Sequence, residues 1–149
     1  MKRIMFVCHG NICRSPMAEL VFRQMLKDEG ITGITVESSA VSTEELGNPV
    51  YPPAVRELAR HGISAAGKYA VQLARSDYDK YDVFLCMDSS NVARALRIFG
   101  SDSEGKVMRF LELTDRPRDV ADPWYTGNFD ITYRDIVEGC RELIKKCGG

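Results

Sequence analysis

The 149 residues are 44% hydrophobic and 28% charged, with 20 Lys and Arg against 21 Asp and Glu for a formal charge of −1. That length suits one core, so a single domain is expected over residues 1–149. The charge balance speaks against nucleic acid as the main partner, and no apolar run approaches the roughly 18 residues of a membrane span, so a soluble, cytoplasmic protein is expected.

The chain opens on Met1-Lys2-Arg3 and a short apolar run ending at Cys8. The run is shorter than the roughly 7–15 residues of a secretory h-region, and no small-residue cleavage site follows it. It reads instead as a strand over 3–7, buried on both faces. A loop over 8–15 leads into a helix, with Ser15 as N-cap and Pro16 at the first helical position, running to about Glu29 and stopped by Gly30. Residues 34–39 make a second strand and complete a βαβ unit. Residues 41–53, with Gly47, Asn48 and three prolines, form a loop. A short helix follows, with Val55, Leu58 and Ala59 inward and Gly62 at its end.

Residues 64–81 predict loop with one helical turn at 77–80. A third strand covers 82–87, and Ser89 or Asp88 caps a helix that runs to Phe99 and stops at Gly100. A fourth strand spans 106–110, and 111–127 is a polar loop. The last helix carries Phe129, Tyr133, Ile136, Val137, Cys140, Ile144 and Cys147 on one face, with a frayed end at Gly148-Gly149. Alternating strands and helices predict an α/β fold: a three-layer α/β/α sandwich around a central four-stranded parallel sheet. Ligands of such sheets bind outside the carboxyl ends of the strands.

Five cysteines, an odd number at irregular spacing, do not make a disulfide framework. There is no C-x-x-C, and His9 and His61 lie far apart, so neither a metal nor a cofactor is expected. Cys140 and Cys147 read as small apolar residues. His61, just before Gly62, reads as a dipole partner at a helix end.

The chemistry lies in Cys8-His9-Gly10-Asn11-Ile12-Cys13-Arg14-Ser15, between the end of a strand and the start of a helix. Such an anion-binding loop aims backbone N–H groups at its own centre, and the helix dipole reinforces them. A thiol in that field is of the kind that reacts as thiolate. Arg14 offers a planar fork for two phosphoryl oxygens, and Ser15 a hydroxyl for the Cys8 sulfur. Gly10 and Asn11 are the residues suited to the positive φ of a tight loop.

This C-x5-R-S loop, with Leu85-Cys86-Met87-Asp88 and Ser90-Asn91 in mid-chain and Asp122-Pro123-Trp124-Tyr125 near the end, resembles the low-molecular-weight protein tyrosine phosphatases over essentially the whole chain. The resemblance implies that Cys8 attacks phosphorus, that Arg14 binds the phosphate and stabilises the transition state, and that Asp122 is general acid and then base. It gives Asn11 and Ser15 supporting roles and places Cys13 within the loop. His9, Ile12, Trp124 and Tyr125 would wall a slot for a flat ring, with Asp122 buried beside Trp124. The implied partners are phosphorylated proteins or peptides, with phosphate and other oxyanions as inhibitors.

Two stretches depart from the family pattern. Glu44 and Glu45 stand where relatives often place an aromatic at the mouth, and Gly67-Lys68-Tyr69-Ala70-Val71 lacks the common His-x-Ala-Arg. Arsenate reductases share the loop but need two further cysteines seven apart, and Cys86 is followed at that distance by Ala93. Protein-arginine phosphatases, the alternative on this scaffold, tend to carry Thr where Ile12 stands. A phosphocarrier would need no general acid. Cys8 and Cys13 in one loop predict sensitivity to peroxide.

Overall fold

The computed structural model of the protein describes residues 1–148. Its strands are β1 (Arg3–Cys8), β2 (Thr35–Ala40), β3 (Val83–Cys86) and β4 (Val107–Arg109). All pair in parallel, in the order β2-β1-β3-β4. The helices are α1 (Arg14–Asp28), α2 (Pro52–Arg60), α3 (Ser89–Phe99), α4 (Pro123–Thr126) and α5 (Phe129–Gly148), with 3-10 turns at Arg75–Asp79 and Phe110–Leu113.

The unbroken apolar run of β1 follows from its central place. Ile4, Phe6 and Cys8 point into a core shared with α1, α2 and α5, while Met5 and Val7 point the other way, against α3 with Phe84, Cys86, Ala95 and Phe99. Side chains alternate across a strand, so a strand covered on both faces needs apolar residues throughout. The expected three-layer α/β/α architecture is the one observed. Parallel pairing also brings the ends of β1 and β3 side by side, Val7 opposite Cys86, and that edge carries the site.

Several local expectations are corrected. Helix α1 begins at Arg14 with Cys13 as N-cap, so Ser15 lies inside the first turn, and its hydroxyl turns to Asn11 and Cys8 rather than capping. On α2 Leu58 is buried and Val55 packs on the core as expected, joined by Ala54 and Glu57, whereas Ala59 is exposed. Glu57 enters the core side because Arg60, at 2.6 Å, and His61, at 3.1 Å, pair with it. His61 ends α2 as expected, and its ring also stacks on Tyr133 at 3.8 Å. Of the two expected caps of α3, Asp88 is the one observed.

The final strand is cut short by the turn at Phe110–Leu113. The inner face of α5 includes Thr132, Gly139 and Leu143, none of which the apolar pattern singles out. Gly139 is required there, since a Cβ would come within 2.6 Å of the Phe110 ring. Gly148 is still helical, and Gly149 lies outside the described residues.

Candidate active site

The loop between β1 and α1 is held open by one side chain. Asn11, at φ 58° the sole non-glycine residue with positive φ among those described, is 1% exposed and fully hydrogen-bonded. Its Oδ1 accepts from the Val71 backbone N–H at 3.0 Å, which fixes its Nδ2 as donor to Ser15 Oγ at 2.8 Å and to Ser38 Oγ at 2.9 Å. Ser38 in turn donates to Glu19, a buried carboxylate on α1 that also pairs with Arg23 and Lys68. A carboxylate only accepts, so the direction of every proton along this chain is set. Ser15, accepting from Asn11, is left to donate to Cys8 Sγ at 2.9 Å, and the Asn11 backbone N–H reaches the same sulfur at 3.2 Å. In the stretch that lacks His-x-Ala-Arg, Lys68 pairs with Glu19 and the Val71 N–H holds Asn11. Gly10 does not take positive φ. It leaves room for Glu45, whose Cγ would lie 3.2 Å from a Cβ at that position.

Arg14 is only 4% exposed, and its guanidinium is fixed from two sides. Asp88 at the end of β3 holds Nη2 at 2.9 Å, and the Val120 carbonyl accepts from Nη1 at 3.1 Å. Asp88 caps α3 with its other oxygen, accepting from the Asn91 N–H at 2.8 Å, so one carboxylate ties helix, strand end and arginine together. Val120 itself is pinned through its N–H to the Met87 carbonyl at 2.8 Å. Two residues on, Asp122 brings Oδ2 to 3.4 Å from Arg14 Nη2, while its Oδ1 accepts from the Trp124 N–H.

A cleft of about 240 Å³ opens over the loop, lined by Cys8, His9, Gly10, Ile12, Cys13, Arg14, Glu44, Glu45, Asp122, Trp124 and Tyr125. Every residue expected at the floor or walls lines it except Asn11 and Ser15, which lie behind. A shallow depression at the opposite end of the strands, around Arg3 and Asp82, is not lined by a cysteine. The expected burial of Asp122 beside Trp124 is not observed. Trp124 is 61% exposed and leans on Tyr51 at 5.3 Å, because the carboxylate caps α4 and turns towards Arg14.

At the rim, Arg94 on α3 donates to His9 Nδ1 at 3.3 Å. A guanidinium has only donors, so His9 carries its proton on Nε2 and gives it to Glu44 at 2.9 Å. Glu44 is therefore a partner of the wall, and Glu45 is engaged by Asn48.

Burial, with lesser contributions from the charges of Cys8 and Asp122, pushes the Cys13 thiol up to about 12. Cys86, behind the loop, is raised still further by burial. The arrangement can hold an oxyanion between the loop and Arg14, with a sulfur below it and a carboxyl group beside it. Sequence reading missed Glu19, Ser38 and Lys68 as supports and did not foresee Asp88 as the partner of Arg14. Only Asp88 left a signal, as an acidic residue ending a central strand.

A family profile described as low molecular weight phosphotyrosine protein phosphatase matches residues 3–148. The chain is 36% identical over 144 residues to YfkJ, a low molecular weight protein-tyrosine-phosphatase of Bacillus subtilis (strain 168), covering 95% of this chain and 92% of that one. It is 38% identical over 142 residues to the similarly described PtpA of Staphylococcus haemolyticus (strain JCSC1435), covering 95% and 90%. The crystal structure of YfkJ matches with a TM-score of 0.93 at 35% identity, over 98% of this chain and 94% of the other. Likeness this extensive, in sequence and in three dimensions alike, means that the chain belongs to the low-molecular-weight protein-tyrosine-phosphatase family.

Proposed function

We propose that the protein hydrolyses phosphotyrosine in proteins or peptides through a phosphocysteine intermediate. The observation that carries this is that Cys8, Arg14 and Asp122 line one cleft, with Asp122 3.4 Å from Arg14 and the Cys8 sulfur receiving two hydrogen bonds. Cys8 attacks phosphorus, the bond to the phenolic oxygen breaks, and Asp122 delivers its proton to that oxygen. The resulting carboxylate then takes a proton from water, which attacks the phosphocysteine and releases phosphate and the thiolate. Arg14 and the loop N–H groups hold the equatorial oxygens throughout, as a loose phosphoryl transition state requires. Inorganic phosphate and other oxyanions compete for the same loop. The near-neutral charge gives no footing for nucleic acid, and five free cysteines suit a reducing cytoplasm. No helix among the described residues is long and apolar enough to cross a membrane.

Ile12 supports tyrosine over arginine. A phosphoguanidinium packed against its aliphatic side chain would leave N–H groups unpaired, at about 1–3 kcal/mol each, whereas a phenyl ring gains apolar contact. The parent is expected to favour a phosphotyrosine peptide over its phosphoarginine counterpart by at least about tenfold in kcat/KM, and Ile12→Thr should narrow the gap. Equal or better use of phosphoarginine by the parent would replace this reading with that of an arginine phosphatase.

Peroxide should inactivate the enzyme reversibly. Cys13, with its thiol held protonated, is a poor first target, so oxidation begins at Cys8. Peroxide converts the Cys8 thiol to a sulfenic acid with release of water. Condensation with the Cys13 thiol gives a Cys8–Cys13 disulfide and water, provided the loop relaxes to bonding distance. Dithiothreitol should restore activity, less completely in Cys13→Ser. Mass spectrometry of the oxidised protein without a Cys8–Cys13 linked peptide would dispose of the mechanism.

A further inference from the structure

Resting on the reading of Asp122 as general acid, we propose that Thr132 and Asp135, on helix α5, are positioning residues that aim it. Ala121, the residue immediately before Asp122, has both of its backbone polar groups held by these two side chains. The Thr132 hydroxyl donates to the Ala121 carbonyl at 2.7 Å, and Asp135 Oδ2 accepts from the Ala121 N–H at 3.0 Å. The two lie three residues apart on one face of the helix, the spacing that lets neighbouring side chains act on a common target. Together they grip the peptide units on either side of the Ala121 α-carbon, and the direction in which the next side chain leaves follows from that grip.

The contacts on Thr132 show that its own helix is not its main partner. A threonine within a helix ordinarily returns its hydroxyl to the carbonyl four residues back. Here that carbonyl, of Asn128, is 3.5 Å away, and the much shorter bond goes to Ala121. Thr132 is fully buried, so no water competes for the hydroxyl. The other oxygen of Asp135 accepts from Arg118 at 2.8 Å, and Arg118 in turn reaches Glu138 one turn further along α5. The acid arm is thus fastened to α5 at residues 118 and 121, and to the end of β3 and Arg14 at residue 120. A general acid must meet the leaving oxygen within hydrogen-bond reach, and displacements on the order of 1 Å can cost about a hundredfold in rate. Among the described residues, these two are the side chains that hydrogen-bond to the backbone of Ala121.

The test compares kcat/KM for phenyl phosphate, whose leaving group needs a proton, with p-nitrophenyl phosphate, whose leaving group needs it far less. Thr132→Val keeps the shape and removes the donor. In the parent, Arg118 and the Ala121 N–H meet different oxygens of Asp135, and Asp135→Asn replaces one of those oxygens with an NH2 that cannot accept. Each variant is expected to lose about tenfold or more on phenyl phosphate and markedly less on p-nitrophenyl phosphate. Thr132→Ser, retaining the hydroxyl, should restore the parent ratio. Added to Asp122→Asn, either substitution should cost little more, since residues acting through one group are not additive. Equal losses on both substrates, or full additivity with Asp122→Asn, would overturn the positioning role while leaving Asp122 as the acid. Absence of leaving-group selectivity in Asp122→Asn itself would overturn the acid assignment and the positioning role with it. Should Thr132→Val not fold, Asp135→Asn, nearer the surface, carries the same comparison.

Discussion

Replacement of Cys8 by Ser is expected to reduce hydrolysis of p-nitrophenyl phosphate by at least about a thousandfold while the fold persists. The substitution is nearly isosteric at a residue 3% exposed. The two donors that reach the sulfur, Ser15 Oγ and the Asn11 N–H, can both serve a hydroxyl oxygen instead. What disappears is the nucleophile: a serine hydroxyl stays protonated in this loop, and no adjacent base is placed to take its proton. The loop N–H groups and Arg14 remain, so phosphate should still bind with about parent affinity, which calorimetry can measure beside the thermal unfolding midpoint. Residual turnover above a few per cent, on the order expected if another group attacked phosphorus, would remove Cys8 from its role.

Asp122→Asn should slow kcat/KM for phenyl phosphate by about a hundredfold or more, the usual worth of a positioned general acid, with a smaller loss for p-nitrophenyl phosphate. The amide oxygen can still accept from the Trp124 N–H, so the cap of α4 survives and the loss is chemical. The sign of the pH effect follows from the proton. A general acid works only while protonated, so activity falls as pH rises through the acid's titration. Asparagine has nothing to titrate, and the basic limb of the pH–rate profile should flatten. Survival of that limb, with equal losses for both substrates, would show that another group supplies the proton.

How much of this was legible in the sequence depended on the range of the interaction. The five-residue run of β1 and the Cys8-to-Ser15 spacing are local patterns, and they led directly to the sheet, the loop and the nucleophile. Gly100 closes α3 in the left-handed conformation, as its place after an apolar-periodic segment suggested. Ser15 misled because its role depends on partners far along the chain. Read locally it is a good N-cap, but Asn11, itself held by Val71, claims the hydroxyl. Ala59 is exposed where Glu57 turns inward for a related reason, since a carboxylate becomes tolerable on an inner face only when Arg60 and His61 meet it. Glu19 could not be recognised as a support, because its partners Ser38 and Lys68 come from separate segments that only the folded sheet brings together. Trp124 was assigned to the correct wall, but its lean onto Tyr51 depends on how the arm crosses α2, which no spacing encodes.

The two halves of the site leave the ribosome far apart in time. Arg14 and Asp122 are separated by 108 positions, so at roughly 5–20 residues per second the acid follows the arginine by roughly 5–20 s. Through that interval the Cys8 loop lacks the Val120 carbonyl that holds Arg14, and α5 has not yet been made. A growing chain therefore carries its cysteine loop before the residues that complete the site, and a chain clipped ahead of residue 120 stays in that condition. Because α5 closes the core against α1 and α2, the appearance of phosphatase activity in a translation reaction is expected to time the completion of folding rather than the synthesis of Cys8.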